Sequence, residues 1–183
     1  MTPKWRKVEG NGATGMEHRG DFRSHRPPFL TPAGSVGSWV SFTGEYRHTL
    51  DAKGRLIVPA RLRDELPGGK VVLAAWFEKC IAMWSLDGWS ESIQSRLLEE
   101  RNADPNFRAV VRRIASSAHQ DEVDKQGRLV VPQGLREWAG IGRDVVVAGV
   151  LNHAELWSPE AWAGEQEKVA DGGLEELAKH VNF

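Results

Sequence analysis

Alternation of inward and outward positions begins at Phe42, where Tyr46, His48 and Leu50 fall on every second residue and predict a strand with one buried face. The turn "DAKG" interrupts it: Asp51 opens the turn and can accept from amides ahead of it, and Gly54 closes it with the positive φ that a bulge after a type I turn demands. The run "RLIV" predicts a second strand, ended by Pro59, which has no amide proton but whose fixed φ suits a helix start. A short helix is expected over "ARLRDEL", stopped by Gly68 and Gly69. Beyond it, "VVLAAW" and "IAMWS", separated by "FEKC", predict another strand pair. Trp89, Ile93 and Leu97 then recur at helical spacing, and "DPNFRAVVRRI" opens on Asp104 as an N-cap and lines Phe107, Val110, Val111 and Ile114 along one helical face.

The pattern then repeats. "LDAKGRLIVPARLRDEL" at 50–66 returns as "VDKQGRLVVPQGLREWA" at 123–139, with Asp51, Gly54, Arg55, Leu56, Val58, Pro59, Leu62 and Arg63 matched by Asp124, Gly127, Arg128, Leu129, Val131, Pro132, Leu135 and Arg136. "VVVAG" and "AELWS" match the later strand pair, and Pro159 follows Ser158 as a helix start after its cap. Two similar units follow: residues 42–91 form repeat 1, 92–115 a helical connector and 116–165 repeat 2. Residues 1–39, rich in Gly, Pro, Ser and Arg without apolar period, read as a disordered extension, and 166–183 as a tail broken at Gly172 and Gly173. A unit of roughly 60 to 70 residues buries only about 60% of its unfolded surface, so each repeat is expected to lean on its twin or on another subunit.

Charge changes this picture locally. The 183-residue chain has 24 Lys and Arg against 25 Asp and Glu, a balance that excludes neither a nucleic-acid partner nor an enzyme. Residues 47–63, however, carry Arg47, Lys53, Arg55, Arg61 and Arg63 against Asp51, whereas in 121–137 Lys125, Arg128 and Arg136 face Asp121, Glu122, Asp124 and Glu137. The first hairpin is therefore expected to be the better polyanion surface. Arg108, Arg112 and Arg113 read as a solvated helix face. Trp84, Trp157, Trp89 and Trp162, at matched positions, are expected to lock helix to sheet.

Catalytic chemistry finds no support. The single cysteine, Cys80, has no base at a telling spacing and reads as a turn residue, and His48, His119 and His153 lack metal-ligand spacing. No metal and no cofactor are expected. There is no glycine-rich phosphate loop, so an enzyme is disfavoured. No apolar run approaches 18 residues and no signal-peptide core leads the chain, which predicts a cytoplasmic protein without a membrane partner.

Two hairpins with D-x-x-G-R, an apolar strand, Pro and a short basic helix resemble the MraZ family over residues 42 to about 165, carried by "FTGEYRHTLDAKGRLIVPARLRDEL", "NADPNFRAVVRRIASSAHQDEVDKQGRLVVP" and "AELWSPEAW". The resemblance implies a mainly β fold with peripheral α-helices: tandem AbrB-like swapped-hairpin (double-split β-barrel) repeats forming an internal pseudo-dimer. It also implies ring-shaped homo-oligomers in the cytoplasm and nucleoid that bind double-stranded DNA at repeated promoter boxes and control the division and cell-wall gene cluster. Similar members begin near the residue matching Phe42, so 1–39 inherit no role, and initiation near Val40 is an alternative that intact mass would reveal.

With that resemblance, Arg55 foremost, then Arg128, Lys53 and Arg63, become the candidate DNA contacts, since a guanidinium at a hairpin end can meet phosphate or the acceptor edge of guanine. Asp51 with Gly54, and Asp124 with Gly127, would orient them. Each Asp is expected to hold its Arg in one rotamer and so lower the ordering cost on binding. Arg55 is expected to matter more than Arg128 because of its basic neighbours. The rival of a different class is an oligomeric scaffold whose hairpins bind protein and whose Asp/Arg pairs join subunits.

Overall fold

A computed structural model describes residues 41–99 and 105–170. The expectations for 1–39, for Asp104 as a cap and for the tail beyond Ala170 lie outside the described residues. Repeat 1 supplies β1 (Glu45–Thr49), β2 (Arg55–Ile57), α1 (Ala60–Arg63), β3 (Lys70–Ala75) and β4 (Ile81–Ser85). Next come α2 (Leu86–Trp89), a π-helical stretch (Ser90–Gln94), α3 (Ser95–Glu99) and α4 (Pro105–Ser117). Repeat 2 supplies β5 (His119–Glu122), β6 (Arg128–Val130), α5 (Gln133–Ala139), β7 (Asp144–Gly149), β8 (Ala154–Trp157) and α6 (Pro159–Ala170).

The repeats exchange strands. A six-stranded sheet runs β1-β7-β8-β4-β3-β5, and β2 pairs with β6 in a separate two-stranded ribbon. Every pairing is antiparallel. The first strand of repeat 1 lies on β7 of repeat 2, from Glu45↔Ala148 to Thr49↔Asp144, and the first strand of repeat 2 lies on β3 of repeat 1, from Lys70↔Glu122 to Leu73↔His119. β2 has three residues and meets its own hairpin partner only at the Leu50↔Leu56 bridge, so β1 satisfies its five-residue ladder elsewhere.

The inner strands of the sheet are buried on both faces, β3 from Val71 to Ala75 and β4 throughout, which is why "VVLAA" reads as a continuous apolar run. Val71, Leu73 and Ala75 join one core with Leu56, Val58, Leu62, Leu129, Val131 and Leu135, drawn from both repeats. Ala74 faces the other way, into a cluster with Trp84 and Ile114. Trp84 meets Trp89 at 5.5 Å between ring centroids, and Trp157 meets Trp162 at 5.7 Å, so the matched tryptophans do pin helix to sheet. Ser85 Oγ accepts from Gly88 N (3.1 Å) and Ser158 Oγ from Ala161 N (3.2 Å), capping the helices that follow β4 and β8.

Two local expectations need correction. The helix expected over "ARLRDEL" ends at Arg63, because Pro67 excludes helical geometry from Leu66 (φ −112°, ψ 87°) before Gly68 is reached. Cys80 is not an open turn residue. It is buried among Val146, Ala148 and Trp157, and burial pushes its thiol pKa well up, which leaves it a small apolar group.

Candidate nucleic-acid interface

The two D-x-x-G-R turns are nearly identical in structure. Asp51 Oδ1 accepts from the amides of Lys53 and Arg55, both at 2.9 Å, and Oδ2 takes Arg55 Nε at 2.7 Å and Nη2 at 2.6 Å. Gly54 N closes the turn on Asp51 O at 2.9 Å, with φ 72°. In the second turn, Asp124 Oδ1 accepts from Gln126 N (2.8 Å) and Arg128 N (2.9 Å), and Oδ2 holds Arg128 Nε and Nη2, both at 2.7 Å. Gly127 has φ 78°. An oxygen that accepts two amides needs the tight turn, and the turn needs its glycine. The carboxylate left over can only meet the arginine that starts the strand.

The ribbon then sets both arginines on one surface. Arg55 lies opposite Val130, Leu56 opposite Leu129 and Ile57 opposite Arg128. Directly paired residues share a face and neighbours alternate. Leu56 and Leu129, fully buried, mark the core side. Arg55, Ile57, Arg128 and Val130 therefore share the outer side, where Ile57 is 55% and Val130 44% exposed.

Strand exchange also redistributes the supporting cations. A Cβ at Gly127 would overlap Arg63 Nη1, so the guanidinium of repeat 1 covers the turn of repeat 2; a Cβ at Gly54 would fall 3.0 Å from Arg136 Nη2, so the reverse also holds. Arg136 is further fixed by donating from Nε to Val131 O (3.0 Å). The expected reason for favouring Arg55 thus changes: Arg63 stands beside the turn of Arg128. Arg47 lies on β1, opposite Val146 of β7, and is paired with Glu45 at 3.2 Å.

A different asymmetry takes its place. Gln126 Oε1 accepts from Arg128 Nη2 at 2.8 Å, a bond with no counterpart at Arg55, because the matching position is the exposed Lys53. Gln126, Arg136, Ile57 and Val130 were all missed as contributors to this surface. Gln126 had a signal in the Lys/Gln difference between the repeats. Arg136 and the apolar pair become visible only once β2 is paired with β6. On the connector, Arg113 stacks over Trp138 at 3.7 Å, with Lys79 over the same ring at 3.8 Å, and so serves packing.

The side-chain bond from Arg55, then its amide, pulls the Asp51 carboxyl down to about 2 from 3.8. Asp124 is lowered as well, chiefly by the Arg128 amide. A depressed carboxylate stabilises the turn above its unfolded pKa and loses that contribution as pH falls through the folded one, so the lock persists from neutral pH to near pH 2. Carboxyl NMR should place the Asp51 midpoint close to 2, and Arg55→Ala should return it toward 3.8. An unchanged midpoint in the variant would show that the arginine is not the cause.

A family model described as "MraZ protein, putative antitoxin-like" matches residues 41–113 and again 114–180. The chain belongs to the MraZ family. It is 42% identical to the transcriptional regulator MraZ of Caldanaerobacter subterraneus subsp. tengcongensis over 76% of this chain and 95% of that one. It is 45% identical to the transcriptional regulator MraZ of Moorella thermoacetica over 78% and 98%. With its counterpart in Acetivibrio thermocellus it shares 39% identity over 75% and 96%. MraZ relatives are thus covered almost end to end, and the duplicated match falls on the two repeats that exchange strands here. Among the described residues no helix is long and apolar enough to cross a membrane.

Proposed function

We propose that this chain regulates transcription by binding double-stranded DNA in a sequence-dependent way through the β2–β6 ribbon. One observation carries the proposal: two aspartate-locked arginines stand on the same outer face of a two-stranded ribbon. A ribbon with strands about 4.8 Å apart enters a major groove about 12 Å wide. Asp51 occupies Nε and one proton of Nη2, so the fork between Nη1 and Nη2 of Arg55 is the edge left for guanine O6 and N7. Arg128 supports it from the other strand. Lys53 at the first turn and Arg63 over Gly127 supply phosphate contacts that set register.

One ribbon reads a short stretch, so a ring of several copies on repeated promoter boxes provides affinity by multivalency. Phe77, Leu98 and Leu151 are exposed apolar side chains from which such an assembly can draw contacts. The target proposed with it, as the family resemblance implies, is the division and cell-wall gene cluster, and the proposed place of action is the nucleoid.

Filter binding of the full chain to duplex from upstream of its own gene tests this. Six to ten phosphate contacts predict a loss of about 10³ to 10⁵ in affinity between 50 and 200 mM salt. Negligible retention at every salt concentration, with a normal oligomer, would reject DNA binding and leave the ribbon as a protein contact. A footprint on that region gives the boxes.

A further inference from the structure

The two apolar residues on the ribbon's outer face have no part in phosphate or guanine contact, and neither belongs to a buried core cluster. Ile57 and Val130 occupy the same position of the two repeats, stand between Arg55 and Arg128, and face away from Leu56 and Leu129. The sheet's edge strands show what this protein otherwise puts on an exposed strand face: Glu45, Arg47 and Thr49 on β1, and Gln120 and Glu122 on β5. Among the described strands, the ribbon is where exposed outward positions beside the arginines are taken by large β-branched groups, Ile57 and Val130. Their χ1 is nearly fixed, so each presents a rigid apolar knob with little entropy to lose.

We infer that Ile57 and Val130 are specificity residues that pack against the C5-methyl groups of thymines in the major groove. The inference rests on the DNA-binding reading above and deepens it. Arginine forks select guanine, but a floor of phosphate and guanine contacts would be served by polar residues between them. An apolar group in that place gains only from an apolar feature of the base edge, and the thymine methyl is the one that the major groove of unmodified DNA displays. The geometry adds order. Ile57 follows Arg55 by two positions along one strand and lies directly across from Arg128; Val130 is placed in the mirror sense. Each half of the contact thus combines one guanine reader and one methyl reader, related by the pseudo-twofold of the repeats.

The experiment selects duplexes from a randomised pool with the full chain, then replaces thymine by deoxyuridine, which lacks only the methyl, one position at a time. Selected sites should hold fixed thymines near fixed guanines. Each critical uracil should weaken binding about fourfold, as expected for one methyl removed from contact. A variant carrying Ile57→Ala and Val130→Ala should bind more weakly and be indifferent to those uracils. Both positions are exposed, and circular dichroism with sedimentation verifies that the variant folds and assembles.

Selected sites without fixed thymines, or uracil effects of equal size in the wild type and the variant, would overturn the inference while leaving DNA binding in place. A variant that changes oligomeric state but keeps the uracil response would assign this face to a subunit contact and also overturn it. Failure of the wild-type chain to select any duplex would instead remove the DNA-binding reading itself.

Discussion

Arg55→Ala should weaken binding to a single promoter box by roughly fivefold to over a hundredfold, the range of 1 to 3 kcal/mol for a bidentate arginine–guanine contact, and Arg128→Ala should weaken it less. The turns are alike to within a few tenths of an ångström in their Asp–Arg bonds, so the difference cannot come from the lock. It comes from the free edge. Arg55 keeps both nitrogens of its outer fork available by the turn's own bonding, while Gln126 takes a proton of Arg128 Nη2 and breaks the fork that O6 and N7 require. Lys53, at the matching position, adds a cation instead.

The same argument supplies an internal control. Gln126→Ala frees the Nη2 proton and should raise the contribution of Arg128, narrowing the gap between the two arginine variants. If Arg55 reads a base, its loss must also relax sequence preference; a phosphate contact would lower affinity evenly across sequences. Isothermal titration or filter binding on one box and on repeated boxes reads both effects, the second with the multiplication that multivalency brings. An Arg128→Ala protein that assembles normally and binds as poorly as Arg55→Ala would remove the asymmetry. So would a Gln126→Ala protein that leaves the gap unchanged.

Much of this surface was legible in the sequence because its chemistry is local. An Asp three residues before a Gly, followed by Arg, contains its own geometry: the carboxylate reaches two amides and the guanidinium within one turn. The tryptophans were legible for a similar reason, since matched aromatics five residues apart join strand end to helix. Pro67 was a readable stop signal passed over in favour of the glycines after it. The partner of each strand was not readable from the residues themselves; swapped hairpins were implied by the family resemblance alone. Nothing in "GEYRHTLD" distinguishes its own hairpin from β7, and a three-residue β2 satisfies the hydrophobic pattern in either arrangement. Charge bookkeeping failed at that point: Arg63 is near Arg55 in sequence, yet it lies on Gly127, beside Arg128. Ile57 and Val130 were hidden by the same gap, because an apolar run of four gives no hint which members face out until the ribbon is paired.

Leu129→Ala should destabilise the whole described fold by about 2 to 5 kcal/mol, and repeat 1 should lose as much as repeat 2. Leu129 is fully buried directly across the ribbon from Leu56, in one cluster that also holds Leu62, Leu73, Ile81 and Met83 of repeat 1. Removing three carbons there opens a cavity that both repeats line. Since β1 is laddered to β7 and β5 to β3, neither repeat can keep its sheet once the other opens. Val130→Ala, one residue away but 44% exposed, should change stability by no more than about 0.5 kcal/mol, which separates burial from ribbon formation as the cause. Native-state hydrogen exchange reads the distribution. Amides of β3 and β4 should lose the same free energy of protection as those of β7 and β8, within one cooperative transition. Protection retained in β3 and β4 while β7 and β8 open would mean that the repeats fold independently and that the exchanged strands are a weak clasp. Equal loss would make the pseudo-dimer a single folding unit, and with it the fixed spacing of Arg55 and Arg128 that reading one groove requires.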